Sequence, residues 1–98
     1  MGKFVVLFKG GMVPEADEER KRVMDAWMAW FGGLGDSVVD PGNPFGPSAA
    51  AGGGSTSGLT GYTILNAASL DDALVKVGSC PILNDADGGI EVYEAMDM

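Results

Sequence analysis

The sequence predicts an α+β fold of the ferredoxin-like type, with four antiparallel strands and two helices on one face of the sheet. Three observations lead to it: a continuous apolar run near the N-terminus, two segments with helical periodicity, and two later segments of alternating polarity. In chain order they read β-α-β-β-α-β. With right-handed crossovers, this order produces a single sheet of four strands.

The first half of the chain supplies a strand and a long helix. The run KFVVLF (3–8) is typical of a strand covered on both faces in the middle of a sheet. We predict a helix over 14–32, because Pro14 suits the first helical position and the acids after it suit the positive end of the helix dipole. Gly32 and Gly33 would form its exit. Its apolar stripe consists of Val23, Trp27, Trp30 and Leu34, and it is widened by Ala16, Met24 and Phe31.

The second half supplies the remaining elements. DSVVD (36–40) predicts a short strand, and an uncharged segment rich in proline and glycine follows it. We predict a flexible Gly/Ser-rich loop at about 48–60. The segment LTGYTILNA (59–67) alternates as a strand, and Ser69 then caps a second helix whose apolar stripe is Leu70, Ala73, Leu74 and Val77. IEVYEA (90–95) predicts the last strand.

Length and charge restrict the classes of protein that this chain fits. Its 98 residues predict one domain, 1–98. The net charge of −8 argues against binding nucleic acid or an anionic membrane surface, since both need a basic face. A single cysteine fits a reducing compartment, and the N-terminal apolar run is too short for a signal peptide or a membrane span. We therefore expect a cytoplasmic protein.

The sequence contains no histidine. This excludes zinc sites built on imidazole, catalytic triads with a histidine base, and haem held by histidine. We predict no metal site and no cofactor. If the protein is an enzyme, its chemistry is cofactor-independent acid/base catalysis without histidine.

The predicted sheet leaves one face uncovered, because both helices lie on the other. The first strand is apolar on both sides, so the uncovered face needs a partner. A second copy of the chain, packed sheet to sheet, would bury it, and we expect a homodimer.

Four segments resemble the YCII-related family over nearly the whole chain: KFVVLFKGG, MDAWMAWFGGLGDSVVDPGNPFGPS, LTGYTILNAASLDDALVKVGSCPIL and GGIEVYEAMDM. The resemblance implies a dimeric α+β barrel, made of two ferredoxin-like units packed sheet against sheet. It also implies a small enzyme or ligand binder. Some members carry a paired His and Asp proposed as catalytic, which this chain cannot form without histidine. The segment DPGNPFG is a looser relative of the DGPF signature of one subgroup.

Asp40 is the candidate catalytic residue. A carboxylate at a strand end, followed by a rigid loop with Phe45, suits a general acid or base. The alternative is that Asp-Pro-Gly-Asn is a turn in which Asp40 accepts backbone N–H bonds. Turn chemistry explains the Asp, Pro, Gly and Asn but leaves Phe45 unexplained.

Aromatic residues are the candidate ligand-binding groups. Trp27 and Trp30 would form a pocket wall, or would fill the core that their helical spacing also suits. Tyr62 offers a phenol on a strand, and Phe45 lies in the loop after Asp40. Two hypotheses remain open. In one, a pocket near this loop binds or converts a small organic molecule with Asp40; in the other, the protein is a non-catalytic dimeric structural or regulatory module and Asp40 is a turn residue.

Overall fold

The computed structural model describes residues 2–11, 16–84 and 87–96. Its strands are β1 (Gly2–Lys9), β2 (Val38–Asp40), β3 (Leu59–Ala67) and β4 (Gly89–Ala95). Its helices are α1 (Asp17–Leu34) and α2 (Leu70–Val77), and short 3-10 turns follow each of them at Gly35–Ser37 and Pro81–Asn84. The order β-α-β-β-α-β and the α+β class are confirmed.

The four strands form one sheet in the order β2-β3-β1-β4, and all neighbours are antiparallel. β1 therefore lies in the interior of the sheet, as its apolar sequence predicts. Phe4, Val6 and Phe8 are buried on the side of the helices, while the residues between them are half-exposed on the other side.

The core lies between the sheet and the C-terminal half of α1. The Trp27 ring meets Phe8 at 5.2 Å and Trp30 at 5.6 Å between centroids, both nearly perpendicular. Such edge-to-face contacts suit the aromatic quadrupole and add to the burial of large apolar surfaces. Ile82 and Val77 are buried in the same cluster, so the segment after α2 also packs against α1.

The helix α1 is displaced toward the C-terminus relative to the predicted span of 14–32. It begins at Asp17, and Pro14, the predicted first helical position, lies outside the described residues. The predicted exit at Gly32 and Gly33 is wrong, because both glycines remain helical. Gly35 ends the helix at a φ of 55°, and its N–H donates to the carbonyl of Phe31. Leu34 packs against the core, which keeps the last turn helical.

Neither predicted apolar stripe is fully buried. Met24 and Val23 on α1 are exposed, as are Leu70 and Leu74 on α2, whereas Ala73 and Val77 are buried. The radius of gyration is 14.2 Å, compared with about 13 Å for a compact domain of this length. The chain thus has more apolar surface in contact with solvent than its periodicity predicts.

The sheet surface opposite the helices is called the open face below. Its described side chains are half-exposed or exposed, and they include Val5, Leu7, Tyr62, Ile64, Asn66, Glu91 and Tyr93. The predicted loop overlaps the start of β3, and residues 48–58 form neither helix nor strand. Within the described ranges, no helix is long and apolar enough to span a lipid bilayer.

Candidate functional site

Asp40 ends β2 and begins a tight turn. Its Oδ1 accepts a hydrogen bond from the backbone N–H of Gly42 at 2.9 Å. An aspartate that bonds the backbone two residues later forms an Asx turn. The turn geometry expected for Asp-Pro-Gly-Asn is therefore present, and it occupies only one of the two carboxylate oxygens.

Gly42 brings the turn close to β3. Its φ is 75°, and a Cβ at this position would collide with the backbone carbonyl of Tyr62. Only glycine adopts this conformation and leaves room for the close approach. The sequence indicates a turn at Gly42, whereas the contact of Gly42 with β3 depends on strand pairing.

The segment after the turn continues along β3. Thr63 donates its hydroxyl to the carbonyl of Pro41 at 2.9 Å, and the N–H of Phe45 donates to the carbonyl of Thr60 at 2.9 Å. Pro44 forms an isolated bridge with Gly61. These bonds hold the loop as an irregular extension of β2, which fixes the position of the Phe45 ring.

The structure brings together Asp40, Phe45 and Tyr62. The Tyr62 hydroxyl lies 3.5 Å from Oδ2 of Asp40, and the Phe45 ring stacks on Tyr62 at 5.7 Å with an interplanar angle of 16°. A separation of 3.5 Å is long for an O–H···O hydrogen bond. Both groups thus keep hydrogen-bonding capacity for another molecule.

An open cleft of about 280 Å³ adjoins this group. Residues from both ends of the long loop form it, and all are uncharged: Phe45, Gly46, Pro47, Ser48, Thr56, Ser57, Gly58 and Leu59. The Phe45 ring, 43% exposed, connects the cleft with the Asp40–Tyr62 pair. A small apolar or weakly polar molecule suits such a lining.

Trp27 and Trp30 lie on the other side of the sheet. Trp30 is 7% exposed in the core, and Trp27 packs against Phe8. Gly61 and Thr63 are buried toward the helices, so Tyr62 between them points to the open face. The structure therefore does not place either tryptophan beside Asp40, Phe45 and Tyr62.

A second polar group lies on the open face, at β4. Tyr93 donates its hydroxyl to Oε1 of Glu91 at 2.7 Å, and Lys9 Nζ lies 3.1 Å from Oε2 of the same carboxylate. The Tyr93 hydrogen bond and then Lys9 lower the pKa of Glu91, and Glu91 raises the pKa of Tyr93. The sequence pattern alone does not predict this cluster. The alternation of IEVYE places Glu91 and Tyr93 on one face, but only the strand register brings Lys9 to them.

The two polar groups flank an apolar centre. Leu7 pairs with Tyr62 on one side and with Glu91 on the other, and Val5 pairs with Ile64 and Tyr93 in the next row. The open face thus carries one tyrosine–carboxylate pair at each side, with Val5, Leu7 and Ile64 between them.

The arrangement at Asp40 can perform simple chemistry. Oδ2 can accept a hydrogen bond or a proton from a ligand hydroxyl, and the Tyr62 phenol can donate to a ligand oxygen. The exposed face of Phe45 can stack on a ligand ring.

Comparisons with known proteins bear on the fold. No protein-family model matches the chain, and a search of curated proteins also finds no match. Among solved structures, the chain is similar to 5-chloro-2-hydroxyhydroquinone dehydrochlorinase (TftG) from Burkholderia phenoliruptrix AC1100, in complex with 2,5-dihydroxybenzoquinone. The identity is 21%, the TM-score is 0.54, and the likeness covers 91% of this chain and 90% of that one. This likeness shows a shared α+β fold.

Proposed function

We propose that this protein is a YCII-related homodimer that binds a small aromatic molecule bearing a hydroxyl or carbonyl group, with Asp40, Phe45 and Tyr62 as the binding residues. The observation that carries the proposal is the position of Tyr62, whose hydroxyl lies 3.5 Å from Oδ2 of Asp40 and whose ring stacks on the exposed ring of Phe45.

Each of the three residues has a distinct part in binding. A ligand ring extends the Phe45–Tyr62 stack, which is favourable for offset aromatic rings. A ligand hydroxyl donates to Asp40, and a ligand oxygen accepts from Tyr62. The TftG structure with a dihydroxylated quinone supports this ligand class, because that protein has the same fold.

Conversion of the ligand would use Asp40 as a general base. The carboxylate removes a proton from a ligand hydroxyl or an activated carbon, and Tyr62 stabilises the negative charge that develops on the ligand oxygen. Such a reaction is a proton abstraction or an isomerisation and needs no cofactor.

Dimerisation through the open face supports the same site. Val5, Leu7 and Ile64 are half-exposed in one chain, and a second sheet would bury them. Two four-stranded sheets form an eight-stranded barrel, whose interior holds side chains or one small ligand.

The dimer is tested by sedimentation equilibrium at micromolar protein concentration. Wild type should be a dimer, and Leu7→Asp should be a monomer because it places a charge on the open face. The control Val75→Asp, at an exposed position of α2, should remain dimeric. A monomeric wild type would contradict the dimer.

Binding is tested by isothermal titration with phenol, hydroquinone and 2,5-dihydroxybenzoquinone. We expect Asp40→Asn to weaken affinity about tenfold or more, because a hydrogen bond to a charged group is lost. Asp36→Asn is the matched control, since it removes a nearby exposed carboxylate. Phe45→Ala should also weaken binding, whereas Leu83→Ala, at a residue of similar exposure, should not. Affinity unchanged in Asp40→Asn, or no binding of any of these compounds, would overturn the proposal.

The second candidate function is a non-catalytic dimeric structural or regulatory module. The hydrogen bond from the Gly42 N–H to Asp40 at 2.9 Å favours this candidate, because stabilising the turn is by itself a sufficient structural role for the carboxylate. This candidate predicts that the dimer forms as above while none of the three compounds binds.

A further inference from the structure

We infer that the Lys9–Glu91–Tyr93 cluster is the far end of the same binding surface, and that the ligand is an elongated molecule with a polar oxygen group at each end. This inference rests on the proposed function, since it extends the site at Asp40 across the open face.

The strand register supports a continuous surface. Tyr62, Leu7 and Glu91 lie in one row across β3, β1 and β4, and Asp40 joins the next row through its pairing with Ile64. Strands are spaced about 4.8 Å apart, so β3 and β4 are separated by about 10 Å and β2 and β4 by about 14 Å. A single aromatic ring that stacks on Phe45 is too short to reach Glu91.

The apolar side chains between the two polar ends of this surface suit an aromatic part of a ligand. Val5, Leu7 and Ile64 form the centre, and they offer apolar contact without hydrogen-bonding groups in their side chains. A molecule bound there must be apolar in its middle and polar at its ends. Two linked aromatic rings meet this requirement, with the first on Phe45 and Tyr62 and the second over Leu7.

The far end offers both a donor and an acceptor. In a single chain the Lys9 and Glu91 side chains are 46% and 36% exposed, so in the proposed barrel their charged groups would face the interior, where the ligand would lie between the two sheets. Tyr93 holds the Glu91 carboxylate in place by its 2.7 Å hydrogen bond. A ligand hydroxyl that donates to Glu91 and accepts from Lys9 is recognised by two charged partners, and such bonds are the stronger ones.

The test compares two probes that differ by one hydroxyl. 4-Phenylphenol carries an oxygen at one end only, and 4,4′-dihydroxybiphenyl carries one at each end. In wild type we expect the diol to bind about tenfold or more tightly by isothermal titration, because of the hydrogen bonds at the far end. Glu91→Gln and Lys9→Met should reduce this ratio toward one.

Matched variants control for charge. Lys3→Met removes another lysine of β1, and Glu94→Gln removes a carboxylate of β4 that pairs with Phe4 rather than with Leu7. Both should keep the wild-type ratio. If 4-phenylphenol binds but the diol has no advantage, or if the controls lower the ratio as much as Glu91→Gln, this inference is wrong and the proposed function stands. If neither probe binds, this inference is wrong, and the titrations with phenol, hydroquinone and 2,5-dihydroxybenzoquinone decide the proposed function separately.

Discussion

The indole N–H of Trp30 in α1 donates to the backbone carbonyl of Lys76 in α2 at 3.2 Å. Because α2 ends at Val77, this carbonyl is among the last four of the helix, which lack a partner within the helix. Trp30 therefore fills the core and also satisfies the end of the neighbouring helix.

Trp30→Phe should destabilise the fold by about 1–3 kcal/mol, because a hydrogen bond is lost and a carbonyl remains unsatisfied. Urea unfolding measures the loss. Trp27→Phe is the control, since it removes a similar volume from the same aromatic cluster and leaves the Lys76 carbonyl bonded. Equal losses in the two variants would show that the hydrogen bond contributes little.

Asp40→Ala should cost about 1 kcal/mol, because the Gly42 N–H loses its acceptor. Asp40→Asn should remain within about 0.5 kcal/mol of wild type, since asparagine forms the same turn. Asp36→Ala, at an exposed position, serves as the surface control. A large loss in Asp40→Asn under the same urea titration would mean that the charge itself stabilises the turn.

Gly42→Ala should cost more than about 2 kcal/mol, because a positive φ is strained for alanine and the new Cβ meets the Tyr62 backbone. Two other glycines separate these causes. Gly52 has a φ of 71°, but an added Cβ would contact no other atom. Gly52→Ala should therefore lower the free energy of unfolding by only about 1 kcal/mol, from backbone strain alone. Gly46→Ala has open space and no positive φ, and should be near neutral. Thermal unfolding of the three variants measures these losses. Equal losses of stability in Gly42→Ala and Gly52→Ala would refute the ranking.

Tyr93 should ionise above its ordinary value of 10.0, because the hydrogen bond to Glu91 and the charge of Glu91 raise its pKa. Ultraviolet titration in a Tyr62→Phe background follows this single phenol. Glu91→Gln should lower the Tyr93 pKa, while Glu94→Gln should leave it unchanged. An unchanged Tyr93 pKa in Glu91→Gln would contradict the contact.

The same pair predicts how stability depends on pH. The pKa of folded Glu91 is below its ordinary value of 4.5, so its contribution is present above that value and lost as pH falls through the folded pKa. The pKa of folded Tyr93 is raised, so its contribution is complete below about pH 10 and lost as pH rises through the folded pKa. Urea unfolding of wild type and Glu91→Gln should therefore differ at neutral pH and converge in strong acid.

The strands and the fold class were predictable because local patterns determine them. KFVVLF is apolar on both faces of an interior strand, and IEVYE alternates. Helix ends were less predictable: Gly32 and Gly33 look like an exit, but the packing of Leu34 extends the helix to Gly35. Packing between distant segments overrides a local preference.

Residue types alone indicated Asp40, Phe45 and Tyr62, since an acid, a rigid loop and a phenol are features of binding sites. Their proximity depends on strand pairing, which a single sequence does not contain. The same limit explains why Trp27 and Trp30 were grouped with Asp40. Gly61 and Thr63 are buried on the side of the helices, so Tyr62 between them lies on the open face. The two tryptophans therefore lie on the opposite side of the sheet from Tyr62.

The interior position of β1 has a consequence for how the chain folds. β1 is the first strand, yet both of its partners come from the second half: Gly2 pairs with Ala67, and Lys3 pairs with Ala95. Forming either pair closes a loop of more than half the chain. The conformational entropy of that loop is lost before the contacts between the strands stabilise the sheet. Proteins dominated by distant pairings fold slowly. We therefore expect slow folding, with the hydrophobic β1 segment exposed to aggregation until β4 docks beside it.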